Sequence, residues 1–139
     1  MVRGRRPRRA AHVPGMVRLA YGDRVVFHRG DAELAPGISI HRIGGHTAGM
    51  QCVRVHTRRG WVVVASDTSH YYEHFETERC FTTVFHVGDT IEGYRILRRL
   101  ADSPQHIIPG HDPLVMARYP AVSEALKGIA VRLDAPPAD

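Results

Sequence analysis

Residues 51–66, QCVRVHTRRGWVVVAS, constrain the fold more than any other stretch of this chain. Two runs rich in β-branched residues flank Arg58-Arg59-Gly60, which is the pattern of an antiparallel hairpin. The second arm, WVVVAS, is apolar along its length, and a strand without a polar face is buried on both sides and central in its sheet. Upstream, RVVFHR (24–29), a Gly30-Asp31 turn signal, AEL, and ISIHRI after Pro36-Gly37 extend the strand pattern, while the glycines of GGHTAGM (44–50) mark a loop. Downstream, SHYYEHFE predicts a short helix, and FTTVFHVG has no assignable period. Asp89 and Glu92 have capping-box spacing, and Ile91, Tyr94, Leu97 and Leu100 recur at helical intervals, so a helix is predicted over 89–101. QHII (105–108) predicts a short strand stopped by Pro109-Gly110, and Val122, Leu126, Ile129 and Leu133 predict a last helix.

Composition narrows the function classes. With 139 residues, 43% hydrophobic and 24% charged, the chain has the values of one globular domain, and no apolar run approaches the roughly 18 residues that span a bilayer. The Arg-rich start has no apolar stretch behind it, so a secretory leader is not expected and a cytoplasmic location is. The formal charge of +5 equals the contribution of Arg3, Arg5, Arg6, Arg8 and Arg9 alone, so basicity belongs to a tail over 1–23 and nucleic-acid binding is not expected. That tail is expected to be disordered or non-native, with the folded part over 24–139. Cys52 and Cys80 have no metal-type spacing and are read as free thiols.

Ten histidines remain to be explained, and imidazole is the commonest metal ligand as well as the usual proton shuttle. His46, Asp67 and His111 share a context, each following a short strand by a few residues. If the strands at 38–43, 51–57 and 61–66 form a meander, the first and third run the same way, so Asp67 and the His46 loop leave at one edge. A crossover through the 89–101 helix returns strand 105–108 parallel to 61–66 and puts His111 at that edge too. A histidine or aspartate beside glycine is more often a turn or cap residue, so the joint placement carries the argument. Two imidazoles and a carboxylate suit zinc, iron or manganese, and a carboxylate can bridge two ions.

GDAELAPGISIHRIGGHTAGMQ, VVVASDTSHYYEHF and HIIPGHDP give the run from Arg24 to Pro120 a resemblance to the second half of the metallo-β-lactamase superfamily, in its N-acyl homoserine lactonase and 4-pyridoxolactonase-like branch. The resemblance implies an α/β fold: half of an αββα sandwich, a mixed sheet with flanking helices. It implies a metal-dependent hydrolase that opens a lactone or ester through a metal-bound hydroxide, with two divalent ions, zinc before manganese or iron. By position, His46 would complete the shell of the first metal, Asp67 would bridge both and orient the nucleophile, and His111 would serve the second. The family places a substrate-contacting tyrosine shortly after the bridging aspartate; here His70 stands three residues on, with Tyr71 and Tyr72 beyond it, and Tyr71 is taken as the catalytic candidate. The family's His-x-His-x-Asp-His signature is not in the sequence. A truncated hydrolase is therefore expected, whose partners are a small lactone or ester and either a second copy of the chain or a complementing N-terminal half.

Two rival readings come from the same residues. His70-Tyr-Tyr-Glu73-His74 matches H-x-x-E-H, the inverted zinc-peptidase motif, in which two helical histidines hold zinc and the glutamate acts as base. The other rival is an inactive pseudoenzyme fragment or a non-catalytic binding module that keeps the fold without the chemistry.

Overall fold

The computed structural model describes residues 8–138. Helix α1 (Arg8–Tyr21) is followed by β1 (Ala32–Ala35) and β2 (Ile38–Arg42), then β3 (Gln51–Thr57) and β4 (Gly60–Ser66). Helix α2 (Tyr72–Thr77), helix α3 (Val87–Leu100), β5 (Ile107–Pro109) and helix α4 (Leu114–Arg118) complete the order, with single 3-10 turns at Pro104–His106 and Glu124–Leu126. The five strands lie in one sheet in sequence order, antiparallel from β1 to β4, with β5 parallel to β4. A parallel neighbour requires a crossover, and α3 lies in the connection that supplies it. The result is a mixed sheet with flanking helices, a partial αββα arrangement as the sequence led us to expect.

Register assigns the two faces. Arg54 pairs with Val63 and Val63 with Ile107, so these positions share the face that α3 covers. Tyr94 and Leu97 of α3 are fully buried there with Cys52, Val63, Ala65 and Ile107. Burial of a leucine such as Leu97 contributes about 2 kcal/mol. Val62 and Ile108 point to the other face and pack with Tyr119, Val115, Val131 and Leu133. Arg59 ties this C-terminal segment down, reaching the Tyr119 hydroxyl (3.0 Å) and the carbonyls of Ala135 (3.1 Å) and Gln105 (2.7 Å).

Several elements differ from the sequence expectation. Residues 24–28 are irregular and unpaired with the sheet, although RVVFHR has strand composition. Helix α3 begins at Val87, not Asp89, because the imidazole of His86 accepts from the Asp89 backbone N–H (3.0 Å) and so caps the helix itself. The last helix does not form: Gly128 has φ +75°, an Ala121–Val131 bridge closes the segment on itself, and only the 3-10 turn Glu124–Leu126 remains. The expected Arg-rich tail lies outside the described residues over 1–7, and Arg8–Tyr21 is helical. Among the described residues no helix is long and apolar enough to cross a membrane.

Candidate metal centre

Asp67 stands one residue beyond β4, and the backbone turns sharply to put it there. Ser66 takes φ +50°, a left-handed conformation uncommon for a residue with a side chain, at the point where the strand ends. The next residues, Thr68 and Ser69, are buried, and His70 follows before α2 begins. The loop after β5 runs alongside this segment: Gly110 N–H donates to the Ser69 carbonyl and His111 N–H to the His70 carbonyl, both at 2.9 Å. Gly110 is required for that approach, since a Cβ there would lie 2.6 Å from the Ser66 carbonyl oxygen. Asp112 then locks the two loops together, accepting from Tyr72 N–H at the start of α2 and from Leu114 N–H at the start of α4, each at 2.9 Å.

His46 arrives from the β2–β3 loop. Gly45 before it has φ +88° and sits so close to α3 that a Cβ would meet Thr90 Oγ1 at 2.6 Å. The Gly45 carbonyl accepts from both Phe85 and His86 N–H (2.9 Å each), which pins the irregular segment 78–86 against this loop. That segment returns the contact: His46 Nδ1 lies 2.6 Å from the Thr83 carbonyl oxygen. A carbonyl only accepts, so Nδ1 carries the proton and Nε2 of the neutral ring holds a lone pair. A histidine oriented through a backbone carbonyl in this way is the usual arrangement for a metal ligand.

These loops converge on one carboxylate. His111 Nε2 lies 2.6 Å from Asp67 Oδ1, His46 Nε2 lies 3.7 Å from Oδ2, and His70 Nε2 lies 3.9 Å from Oδ1. Asp67, His70 and His111 each offer a ligand atom within 4.8 Å of the others, enough for a metal-binding cluster. The donor set, nitrogen and carboxylate oxygen with a prepared tautomer at His46, fits a divalent transition-metal ion. Burial, with the His111 charge as the next cause, holds the His70 imidazole below its usual pKa, which favours the neutral, ligand-competent ring. Phe81 stacks on that ring, centroid to centroid 3.7 Å.

The expected trio of His46, Asp67 and His111 is thus brought to one rim. His70, singled out only for other roles, joins it, and its spacing of three residues from Asp67 is the signal that could have placed it there. Tyr71 is exposed at the start of α2, its ring 6.4 Å from that of His70 and 5.1 Å from that of His74. The zinc-peptidase frame is not built. His70 precedes the helix, His74 Nδ1 accepts from Tyr71 N–H (3.2 Å), and Glu73 pairs with Arg79 (2.8 Å). Phe81, Thr83 and Asp112, which orient the imidazoles and their loops, carry no sequence signal of that role.

No protein-family profile matches the chain, and no curated protein does. Solved structures do. An N-acyl homoserine lactone hydrolase with the product N-hexanoyl-L-homoserine bound at its catalytic metal centre superposes with a TM-score of 0.58 at 27% identity, over 65% of this chain and 36% of that one. An AiiA mutant from B. thuringiensis, with N-decanoyl-L-homoserine bound at the active site, gives the same values. This chain is a metallo-β-lactamase-fold homologue of the N-acyl homoserine lactonases. The fold alone is shared with AidC, a dizinc quorum-quenching lactonase (TM-score 0.53, 16% identity, 78% of this chain and 39% of that one). The chain spans little more than a third of the length of the lactonases it matches. Of the metallo-β-lactamase metal site, the chain holds an incomplete cluster.

Proposed function

We propose that the chain is part of a metal-dependent hydrolase of the lactonase type, acting on a small lactone or ester. The observation that carries this reading is the ring of imidazoles around the Asp67 carboxylate, with His111 at 2.6 Å and His46 at 3.7 Å. Products of lactone opening occupy the metal centre or active site of the similar solved structures, which supports an N-acyl homoserine lactone as the substrate class. His46, Asp67 and His111 would hold the metal, zinc in preference to manganese or iron. A bound divalent ion supplies Lewis-acid polarisation of the ester carbonyl and a nucleophile near neutral pH.

The chain's own residues do the rest. Asp67 would orient the attacking water and return a proton to the leaving alkoxide, which a carboxylate can do only within about 3 Å of each partner. Tyr71, exposed beside His70, would donate a hydrogen bond to the substrate carbonyl. The chain acts either as a second-copy assembly or with an added N-terminal half that contributes further ligands.

Dialysis against zinc or manganese, metal analysis and a pH-stat assay of lactone opening test this together. The loaded chain, alone or mixed with an N-terminal half carrying His-x-His-x-Asp-His, is expected to release acid from N-hexanoyl homoserine lactone, and Asp67→Asn to lose at least about a hundredfold in rate. Metal uptake with no turnover in either mixture would leave the non-catalytic reading in its place.

A further inference from the structure

We infer that His70 is itself a metal ligand, so that Asp67, His70 and His111 form a three-residue site for one divalent transition-metal ion that does not require His46. The inference rests on the metal-binding reading above and deepens it. The ligand atoms of these three side chains lie within 4.8 Å of one another. Two donors on one tetrahedral zinc are about 3.4 Å apart, because each bond is near 2.1 Å, so side-chain shifts of up to about 1.4 Å, within the reach of small χ rotations, close the site. The cluster is also preassembled by backbone. His70 and Asp67 are separated by only one sharp turn, and the His70 carbonyl accepts from His111 N–H at 2.9 Å, so the two backbones are held side by side, with the imidazole rings 4.6 Å apart. Phe81 stacked at 3.7 Å holds the His70 plane, with Nε2 toward Asp67 Oδ1.

His46 approaches the same carboxylate from its other side. It faces the other carboxylate oxygen, Oδ2, and is held by the Thr83 carbonyl on a different segment. Two imidazoles and one carboxylate converging on an ion, with positions left open, suit zinc, iron(II) or cobalt(II). His70 therefore gives this chain, from its own residues, the third ligand that one ion needs, while His46 remains for a second.

Calorimetric titration of the full chain with zinc, together with the visible absorption of its cobalt(II) form, reads this directly. The natural chain is expected to take up one tightly bound equivalent. His70→Gln and His111→Gln are expected to bind at least about tenfold more weakly and to alter the cobalt spectrum, since losing a ligand costs no less than losing an outer-shell partner. His46→Gln is expected to keep that equivalent, and His70→Asp to recover part of the affinity by restoring a donor. Circular dichroism of each metal-free variant checks that it is folded. If His70→Gln binds as tightly as the natural chain while His111→Gln does not, His70 only stacks on Phe81, and the inference fails with the proposed function intact. If the natural chain alone takes up no metal, the inference fails, while the proposed function is still decided by the mixture with an added N-terminal half.

Discussion

Gly110 shows how narrowly one position governs the site. Its missing side chain lets the β5 loop run against Ser66, whose carbonyl carbon and oxygen would lie 2.8 Å and 2.6 Å from an added Cβ. Both are backbone atoms of a residue already at φ +50°, so neither can yield without moving Asp67. Gly110→Ala is expected to destabilise the chain by about 2 kcal/mol, in the range of overpacked substitutions, and to weaken metal binding by separating His111 from Asp67. Urea unfolding and zinc titration of the variant check both effects. An unchanged unfolding midpoint would mean that the loop moves freely, contrary to the paired hydrogen bonds from Gly110 and His111.

At the scale of elements, β1 is a short edge strand, four residues long with a register irregularity between Glu33 and Ala35. Asp31 fastens it to β2 by accepting from His41 Nδ1 (2.8 Å) and Arg42 N–H (2.9 Å). The His41 hydrogen bond first, then that of Arg42, hold the Asp31 carboxyl below the usual carboxylate range. A depressed folded pKa means that its stabilisation is present above the unfolded value of about 3.9 and is lost as pH falls through the folded one. Unfolding midpoints measured downward from about pH 5 are therefore expected to fall more steeply in the natural chain than in Asp31→Asn, by under about 1 kcal/mol because the group is exposed. Which elements could be read from sequence follows the same physics. The strands at 38–42, 51–57 and 60–66, the helix over 87–100 and the strand after it were legible because each buries an apolar face with a clear period. Val122, Leu126, Ile129 and Leu133 have that period as well, but Gly128 at positive φ breaks it. His46, Asp67 and His111 were legible as strand-end residues. The 78–86 segment was not, because it is held through the Gly45 carbonyl and gives its own carbonyls at Arg79 and Thr83, acceptors that leave no pattern in the segment's side-chain chemistry.

Taken as a whole molecule, the site depends on a sheet that must open as one unit, and Cys52 can report on that. It lies on β3 between β2 and β4, fully buried under α3 with Tyr94 and Leu97. Burial pushes its thiol up to about 12, so while it stays covered almost none of it is the reactive thiolate at neutral pH. Cys80, only half-buried in the 78–86 segment, lacks that cover. A thiol reagent in native buffer is thus expected to modify Cys80 rapidly and Cys52 slowly, at a rate set by how often α3 leaves the sheet. Because uncovering Cys52 also uncovers Val63, Ala65 and Ile107, the opening that exposes it is the global one. Its labelling rate should then rise with urea along the same slope as equilibrium unfolding. If Cys52 reacted with a shallow urea dependence, α3 would detach alone. The Gly45–Thr90 contact and the segment holding His46 would then come loose without the sheet, and His46 would lose its fixed orientation while Asp67, His70 and His111 kept theirs.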